Sequence, residues 1–323
     1  MLIDSAGRRI EYLRLSVTDR CDLRCSYCIP EGFKDYEEPE HWLTFDEIER
    51  LLAVFARLGL KRVRLTGGEP LLRRGLPELA GRLAALPGIE DLSLSTNGTQ
   101  LAKYAAALKR SGISRLNVSL DSLDPARVEA ISKRDVLAQV LDGLVAARAE
   151  GFSQIKINMV ALPDLDEDDV DAMVAYCIDN GFILRLIETM PLGASGRAAG
   201  FADLRPLQAR MRSRFGLIDG TVSGGGPARY LVSPDRRFQI GFITPISQHF
   251  CETCNRVRLS VDGILYLCLG QEDTVDFRSL LRTGGSDADI EAALHDGLRR
   301  KPLRHEFRER PEQIIRIMAS TGG

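Results

Sequence analysis

Arg115-Leu116-Asn117-Val118-Ser119-Leu120-Asp121 alternates apolar and polar residues over its whole length. In an extended chain Leu116, Val118 and Leu120 point to one side, and Asn117, Ser119 and Asp121 to the other. Helical patterns flank this stretch, Leu101–Arg110 before it and Val136–Glu150 after it. A strand entered and left through helices belongs to a parallel sheet with right-handed crossovers. Strands of an open doubly wound sheet are apolar on both faces. This one is apolar on one face only, so helices cover one side and the polar side lines a cavity.

The same alternation recurs outward in both directions. The strand-like runs are Tyr12–Val17, Arg62–Thr66, Asp91–Ser95, Arg115–Leu120, Ile155–Val160 and Ile183–Glu188, the last alternating less clearly. Thr44–Leu58 opens on a capping-box sequence, Thr44 with Glu47. Further helices are expected at Leu76–Leu86 and Glu167–Asn180, with Gly59, Gly112, Gly151 and Gly181 at helix ends. A complete eight-stranded barrel fills its interior with Val, Ile and Leu. The polar inner face fits an α/β fold of another kind, an incomplete (βα)6 TIM-type barrel with a wet lumen. From Pro191 the pattern changes. Gly193, Gly196 and Gly200 read as a loop, Leu204–Phe215 as a helix, and Gly220 and Gly224-Gly225-Gly226-Pro227 as turns. Arg229–Leu269 reads as a C-terminal α+β layer over the barrel's open side, followed by a helical end. The expected division is residues 1–200 and 201–323.

Composition narrows the function. The 323 residues carry 43 Lys+Arg against 45 Asp+Glu, with 44% hydrophobic and 27% charged residues. These values exclude a disordered chain. A net charge of −2 supplies no bulk field for nucleic acid or an anionic membrane. Apolar runs fall well short of a membrane span, and Met1–Ile10 has no signal-peptide core. A cytoplasmic protein is expected, with neither nucleic acid nor membrane as partner.

The seven cysteines stand at 21, 25, 28, 177, 251, 254 and 268. An odd number, six of them in two tight triplets, is a poor disulfide framework and reads as metal ligation. Cys21-Asp22-Leu23-Arg24-Cys25-Ser26-Tyr27-Cys28 follows the first strand. Three thiolates on one loop can hold three irons of a cubane and leave the fourth open. A zinc site is the alternative, with His41 as the spare ligand. Cys251, Cys254 and Cys268 form the second triplet, with the same two readings and His249 as the spare zinc ligand. Cys177, on a helical stretch, reads as a core thiol. His295 and His305 read as surface or helix-end residues, and Arg299-Arg300-Lys301 as a solvated run.

The lumen face asks for a polyanion. Arg14, Arg64 and Lys156 project inward from strands, and Arg256 and Arg258 alternate to one common face. Like charges in one cavity are costly unless neutralised, and guanidinium forks suit phosphate oxygens. Pairing with Glu69, Asp121 or Glu188 is the structural alternative. Lys156 is one of seven lysines against 36 arginines, so a lysine is less of a filler here. A nucleoside triphosphate fits this set.

The first triplet with Tyr27, and Leu65-Thr66-Gly67-Gly68-Glu69-Pro70 after the second strand, resemble the radical S-adenosylmethionine (SAM) superfamily. Cys251-x2-Cys254-Asn255-Arg256-x-Arg258, Val261-Asp262-Gly263, Glu188-Thr189-Met190-Pro191-Leu192-Gly193 and the terminal Gly322-Gly323 narrow the resemblance to the GTP 3′,8-cyclase family of molybdenum cofactor biosynthesis. It covers the chain from Arg14 to Gly323. Ser95 stands where the family usually has threonine and keeps the hydroxyl. The resemblance implies a radical SAM partial barrel in 1–200 and an auxiliary-cluster and substrate-binding region in 201–323. It implies one 4Fe-4S cluster on Cys21, Cys25 and Cys28 and another on Cys251, Cys254 and Cys268. Tyr27, Gly68, Ser119 and Met190 are then expected on SAM, with Asn97 a further candidate. Arg14, Arg64, Ser95, Lys156, Arg256, Val257 and Arg258 are expected on GTP, and Arg256 and Arg258 also in catalysis. The implied reaction cleaves SAM reductively, abstracts hydrogen from C3′ of GTP and closes the ribose onto C8, giving 3′,8-cyclo-7,8-dihydro-GTP. A reductant protein such as flavodoxin or ferredoxin, a downstream cyclic pyranopterin monophosphate synthase and a possible homodimer come with the family. In the family the glycine tail reaches into the active site. A peptide-modifying radical SAM maturase and a metal-binding regulator are the rival classes.

Overall fold

The computed structural model describes residues 1–30, 39–222 and 225–322. Gly224 and Gly323, named above for a turn and for the tail, lie outside the described residues. Six strands run in sequence order as parallel neighbours: β1 (Tyr12–Ser16), β2 (Arg62–Thr66), β3 (Asp91–Thr96), β4 (Arg115–Ser119), β5 (Ile155–Ala161) and β6 (Ile183–Glu188). They form the partial barrel that the alternation predicts. Leu13, Leu15, Val63, Leu65, Leu92, Leu94, Leu116 and Val118 are buried on its outer side in one continuous core. Leu51, Leu52, Phe55, Leu79, Leu83, Leu101 and Leu108 of the surrounding helices belong to the same core. The helix Phe45–Arg57 starts at Thr44 with the predicted capping box, and all four glycines expected at helix ends have positive φ.

The C-terminal strands are arranged differently from expectation. They are β7 (Ile218–Gly220), β8 (Arg229–Val232), β9 (Gln239–Ile243), β10 (Arg256–Leu259), β11 (Ile264–Tyr266) and β12 (Thr274–Asp276). Rather than forming a separate layer, they extend the barrel sheet from both edges, giving the order β12-β11-β10-β1-β2-β3-β4-β5-β6-β9-β8-β7. β10 pairs parallel with β1 and β9 parallel with β6, so the parallel run is longer than six. The physical reason is edge satisfaction: the open edges of β1 and β6 carry unpaired backbone groups that another strand can complete.

Two helices escaped the sequence pattern. Pro125–Ser132 is capped by Asp124 and ends on Lys133 at φ +63°. Gly193–Ala198, expected as a loop, is a short helix. Its glycines answer to close packing: a Cβ on Gly196 would lie 2.4 Å from the Met190 carbonyl oxygen. Helices Phe277–Arg282 and Asp287–Arg300 follow the last strand. None of the described helices is long and apolar enough to cross a membrane.

Candidate active site

The lumen opens at the C-terminal ends of the parallel strands as a cleft. Both cysteine triplets line it.

The first triplet sits on the loop that leaves β1. The Cys28 and Ile29 N–H groups donate to the Cys25 carbonyl (2.9 and 3.2 Å), closing a tight turn. Arg24 N–H and Ser26 N–H donate to the carbonyls of Ser132 and Ile131, tethering the loop to the helix ending there. All three cysteines are free of disulfides and half-buried. Burial pushes Cys28 up to about 12 and raises Cys21 and Cys25 as well, with Glu69 and Asp121 adding to the rise. Ligation needs thiolate, so metal binding here must release protons. Among the described residues no three His, Cys, Asp or Glu side chains converge closely enough for a single metal ion. A cubane spreads three cysteines over three irons, and this thiol-only set fits it.

Around this loop the other expected residues assemble. Tyr27 lines the cleft and donates to Asp121 Oδ2 at 2.8 Å. Gly68, Ser119, Met190 and Asn97 line it as well. The glycine pair serves a further purpose: Cβ atoms on Gly67 and Gly68 would lie 2.4 and 2.1 Å from the Thr18 and Arg20 carbonyl oxygens. The glycines thus let the β2 turn dock on the chain's own cysteine loop. Glu69 is buried and accepts from Leu71 N, Thr96 Oγ1 and Asn97 N. Burial raises it to about 7.

The cationic floor is real and broader than the sequence suggests. Register puts Arg258, Arg14 and Arg64 side by side across β10, β1 and β2, next to Ser93 on β3. Arg64 and Arg256 each stack over the Tyr12 ring, at 5.5 and 5.9 Å. Arg185, missed in the sequence, is 2% exposed and donates to Asn158 Oδ1 (2.8 Å) and Asn117 Oδ1 (2.6 Å). Among the described residues none of these five guanidinium groups is in an ion pair. The three acids offered as partners are engaged elsewhere: Glu69 and Asp121 as above, and Glu188 by Ile246 and Ser247 N–H. Burial, then neighbouring guanidiniums, holds Arg14 well below its ordinary value and lowers Arg258 to about 9. Among the described residues, buried Arg14 Nε, Arg256 Nε and Ser95 Oγ have no hydrogen-bond partner. Buried donors are almost always satisfied in a finished site, so this floor fits an anionic, oxygen-rich ligand. Lys156 departs from expectation. It is buried, with Nζ 5.7 Å from the Tyr230 ring, on the face of β5 that carries the cleft-lining Asn158 but deeper in the lumen. Burial, with Arg185, Arg115 and Arg64 near, lowers it to about 7.

The second triplet lies on the turn before β10 and just after β11. The Cys254 thiol donates to the Arg256 carbonyl at 4.0 Å. Val257, between the two expected arginines, lines the cleft. His249 faces Glu252 at 3.5 Å and lines a separate pocket. His305 is half-buried: it stacks on Phe307 at 4.4 Å and lines both the cleft and the separate pocket. Lys301, expected in a solvated run, is 3% exposed and also lines the cleft. Cys177 is fully buried in the core, as expected. The chain end enters too. Arg258 donates to the carbonyls of Thr321 (3.2 Å) and Gly322, and a Cβ on Gly322 would collide with Thr66.

Comparison with known proteins matches this geometry. Residues 15–177 match the radical SAM superfamily, and residues 182–307 match Molybdenum Cofactor Synthesis C. The chain is 46% identical over 326 residues to GTP 3′,8-cyclase 1 of Pseudomonas aeruginosa, covering 99% of both chains. It is 44% identical to the GTP 3′,8-cyclase of Paracoccus denitrificans, covering 100% of this chain and 96% of that one. The chain belongs to the GTP 3′,8-cyclase family. Its function is that of this family of radical SAM cyclases, the first step of molybdenum cofactor biosynthesis, with GTP as substrate. The fold is shared more widely. Streptococcus suis SuiB bound to its precursor peptide SuiA superposes with a TM-score of 0.66 at 16% identity, over 92% of this chain and 66% of that chain. SuiB bound to S-adenosylmethionine gives 0.64 at 15% identity, over 90% and 68%. This chain therefore spans about two thirds of SuiB, and the likeness is one of fold.

Proposed function

We propose the following division of labour for the GTP cyclase reaction. Residues 1–200 hold the cofactor, with a 4Fe-4S cluster on Cys21, Cys25 and Cys28 and SAM against Tyr27, Gly68, Ser119 and Met190. Residues 201–323 supply a second 4Fe-4S cluster on Cys251, Cys254 and Cys268. Arg14, Arg64, Ser95, Arg256, Val257 and Arg258 bind GTP, with Lys156 adding its charge from deeper in the lumen. When bound, the first cluster and SAM supply one-electron hydrogen-abstraction chemistry. The observation that carries the reading is the juxtaposition of two thiol triplets with unpartnered buried Arg14, Arg256 and Ser95 atoms in one cleft.

The protein's own part is placement and exclusion of water. The guanidinium band neutralises the triphosphate, and Tyr12 keeps Arg64 and Arg256 separated yet aimed at the same cavity. Asp121 orients Tyr27, and Glu69 pins the turns after β2 and β3. Arg256 and Arg258 hold the substrate against the second triplet during cyclisation. The same proposal includes a cytoplasmic location, a flavodoxin- or ferredoxin-like reductant, consumption of the product by cyclic pyranopterin monophosphate synthase, and pairing of two copies.

Anaerobic reconstitution with an iron count tests it. Two cubanes require about eight irons per chain. Four or fewer irons with bound zinc contradicts the assignment. Incubation with GTP, SAM and dithionite should consume GTP; methionine and deoxyadenosine without GTP loss contradicts the substrate assignment.

A further inference from the structure

The chain end reaches the cleft along a surface path with two holds. Glu312, Gln313 and Ile315 are exposed, whereas Ile314 and Arg316 between and beside them are buried. Beyond these, Met318 lines the cleft, and Arg258 holds the carbonyls of Thr321 and Gly322. Ile314 is tied to the segment that follows β6. It packs with Leu192 and Phe307, and its carbonyl accepts from Gly193 N–H (3.2 Å) and Arg197 Nη1 (2.9 Å).

Arg316 grips the second triplet instead. Its Nη2 donates to the carbonyls of Cys268 (3.0 Å), Leu269 (2.5 Å) and Gln271 (2.8 Å). Nη1 pairs with Glu272 at 2.5 Å, and the guanidinium lies 4.5 Å from the centre of the Tyr266 ring. One side chain thus clamps the loop from Tyr266 to Glu272, which carries Cys268. Burying a guanidinium is costly unless it is paired and hydrogen-bonded. Arg316 meets that condition only where the three carbonyls of this loop point to one spot. When the loop loses its shape, the carbonyls diverge and Arg316 loses its reason to be buried. The hold on the chain end and the shape of the Cys268 loop therefore belong to one equilibrium, and coupling of this kind is reciprocal.

We propose that Arg316 is the clasp of the chain end, coupling the seating of residues 317–322 in the cleft to the cluster-bound form of the Cys268 loop. Ligation through Cys268 fixes the carbonyl cradle and keeps the tail in. Without it the clasp opens and the tail leaves the cleft. Arg316 acts through backbone carbonyls and is a positioning residue. The inference rests on the two-cluster reading above.

The test is hydrogen–deuterium exchange of residues 317–322, read by mass spectrometry on the reconstituted full-length enzyme. Iron retention against a chelator and electron paramagnetic resonance (EPR) of the second cluster are measured on the same samples. Cys254→Ser, which removes the second cluster, should speed exchange of the tail about tenfold or more. Arg316→Gln should speed it similarly, release the second cluster's iron about tenfold faster and alter its EPR signal, with the first cluster's iron retained. Arg316→Lys, which keeps the charge facing Glu272, should restore part of both. Deleting only Gly322 and Gly323 leaves the clasp in place and should not change iron retention. Tail exchange unmoved by Arg316→Gln, or moved with no change at the second cluster, overturns the proposal. Equal iron loss on deleting the two glycines overturns it as well. If Arg316→Gln is not recovered folded, Arg316→Lys decides by the same two readouts. An unmodified chain that binds four irons or fewer sinks the two-cluster reading and the coupling with it, whereas full iron with an unmoved tail sinks the coupling alone.

Discussion

The two cysteine triplets line the same cleft with different charged neighbours. Acidic groups surround the first: Asp22, Glu69 and Asp121 add to burial, and all three thiols are held above their ordinary value. At the second, burial raises Cys251 and Cys268 as well, while Lys301, Arg256 and Arg8 outweigh burial at Cys254 and bring it below its ordinary value. On the proposed assignment, this difference suits a strongly reducing centre for SAM and a second centre that holds an anionic substrate.

The largest effects should come from removing either triplet. Cys28→Ser should halve the iron content and abolish SAM cleavage, measured as methionine release. Cys254→Ser should also halve the iron, yet keep SAM cleavage while GTP consumption disappears. Equal loss of SAM cleavage in both would erase the contrast between the two regions.

Substitution in the guanidinium floor should be next. Arg14→Gln removes a charge-assisted contact worth about 1.5–3 kcal/mol, or roughly 10- to 100-fold in KM for GTP. Arg256→Ala should behave alike, with SAM cleavage largely retained. Unchanged GTP kinetics would remove these residues from the site.

Lys156 should give a smaller, pH-dependent effect. In the folded chain it is held near 7, below the ordinary 10.5, so the ammonium destabilises the fold fully below pH 7. The penalty fades as pH rises towards 10.5. Lys156→Met should therefore raise the melting temperature most at pH 6, with the gain shrinking as pH climbs. A bound polyanion favours the charged form, so KM for GTP in the unmodified enzyme should rise as pH passes 7, and Lys156→Met should flatten that profile. A flat profile in the unmodified enzyme contradicts this coupling.

The smallest effect on chemistry should come from the outer face of the same strands. Leu116→Ala should cost about 2–5 kcal/mol in chemical denaturation, because Leu116 is fully buried against the helices. KM for GTP should stay within about twofold, since the side chain faces away from the cleft.

Much of this was legible because side-chain direction in a strand has period two. Leu116 against Asn117 already told which face meets helices and which meets the lumen, and both triplets were visible by spacing. What escaped was non-local. β10 pairs with β1 across some 240 residues of chain, and no local pattern encodes that register. Arg185 was obscured because Ile187, on the same face, also points into the cleft and blurs the alternation. Lys156 had the right face but the wrong depth. Lys301 looked solvated beside Arg299 and Arg300, but it is the residue at which the helix ends. There the chain leaves the helical path, and the side chain need not share its neighbours' face.

The most direct test of the division between the triplets is EPR of the dithionite-reduced, reconstituted enzyme with SAM and GTP added separately. SAM should perturb only the signal that Cys28→Ser removes, and GTP only the signal that Cys254→Ser removes. A GTP effect that survives in Cys254→Ser, or a SAM effect that survives in Cys28→Ser, would contradict it.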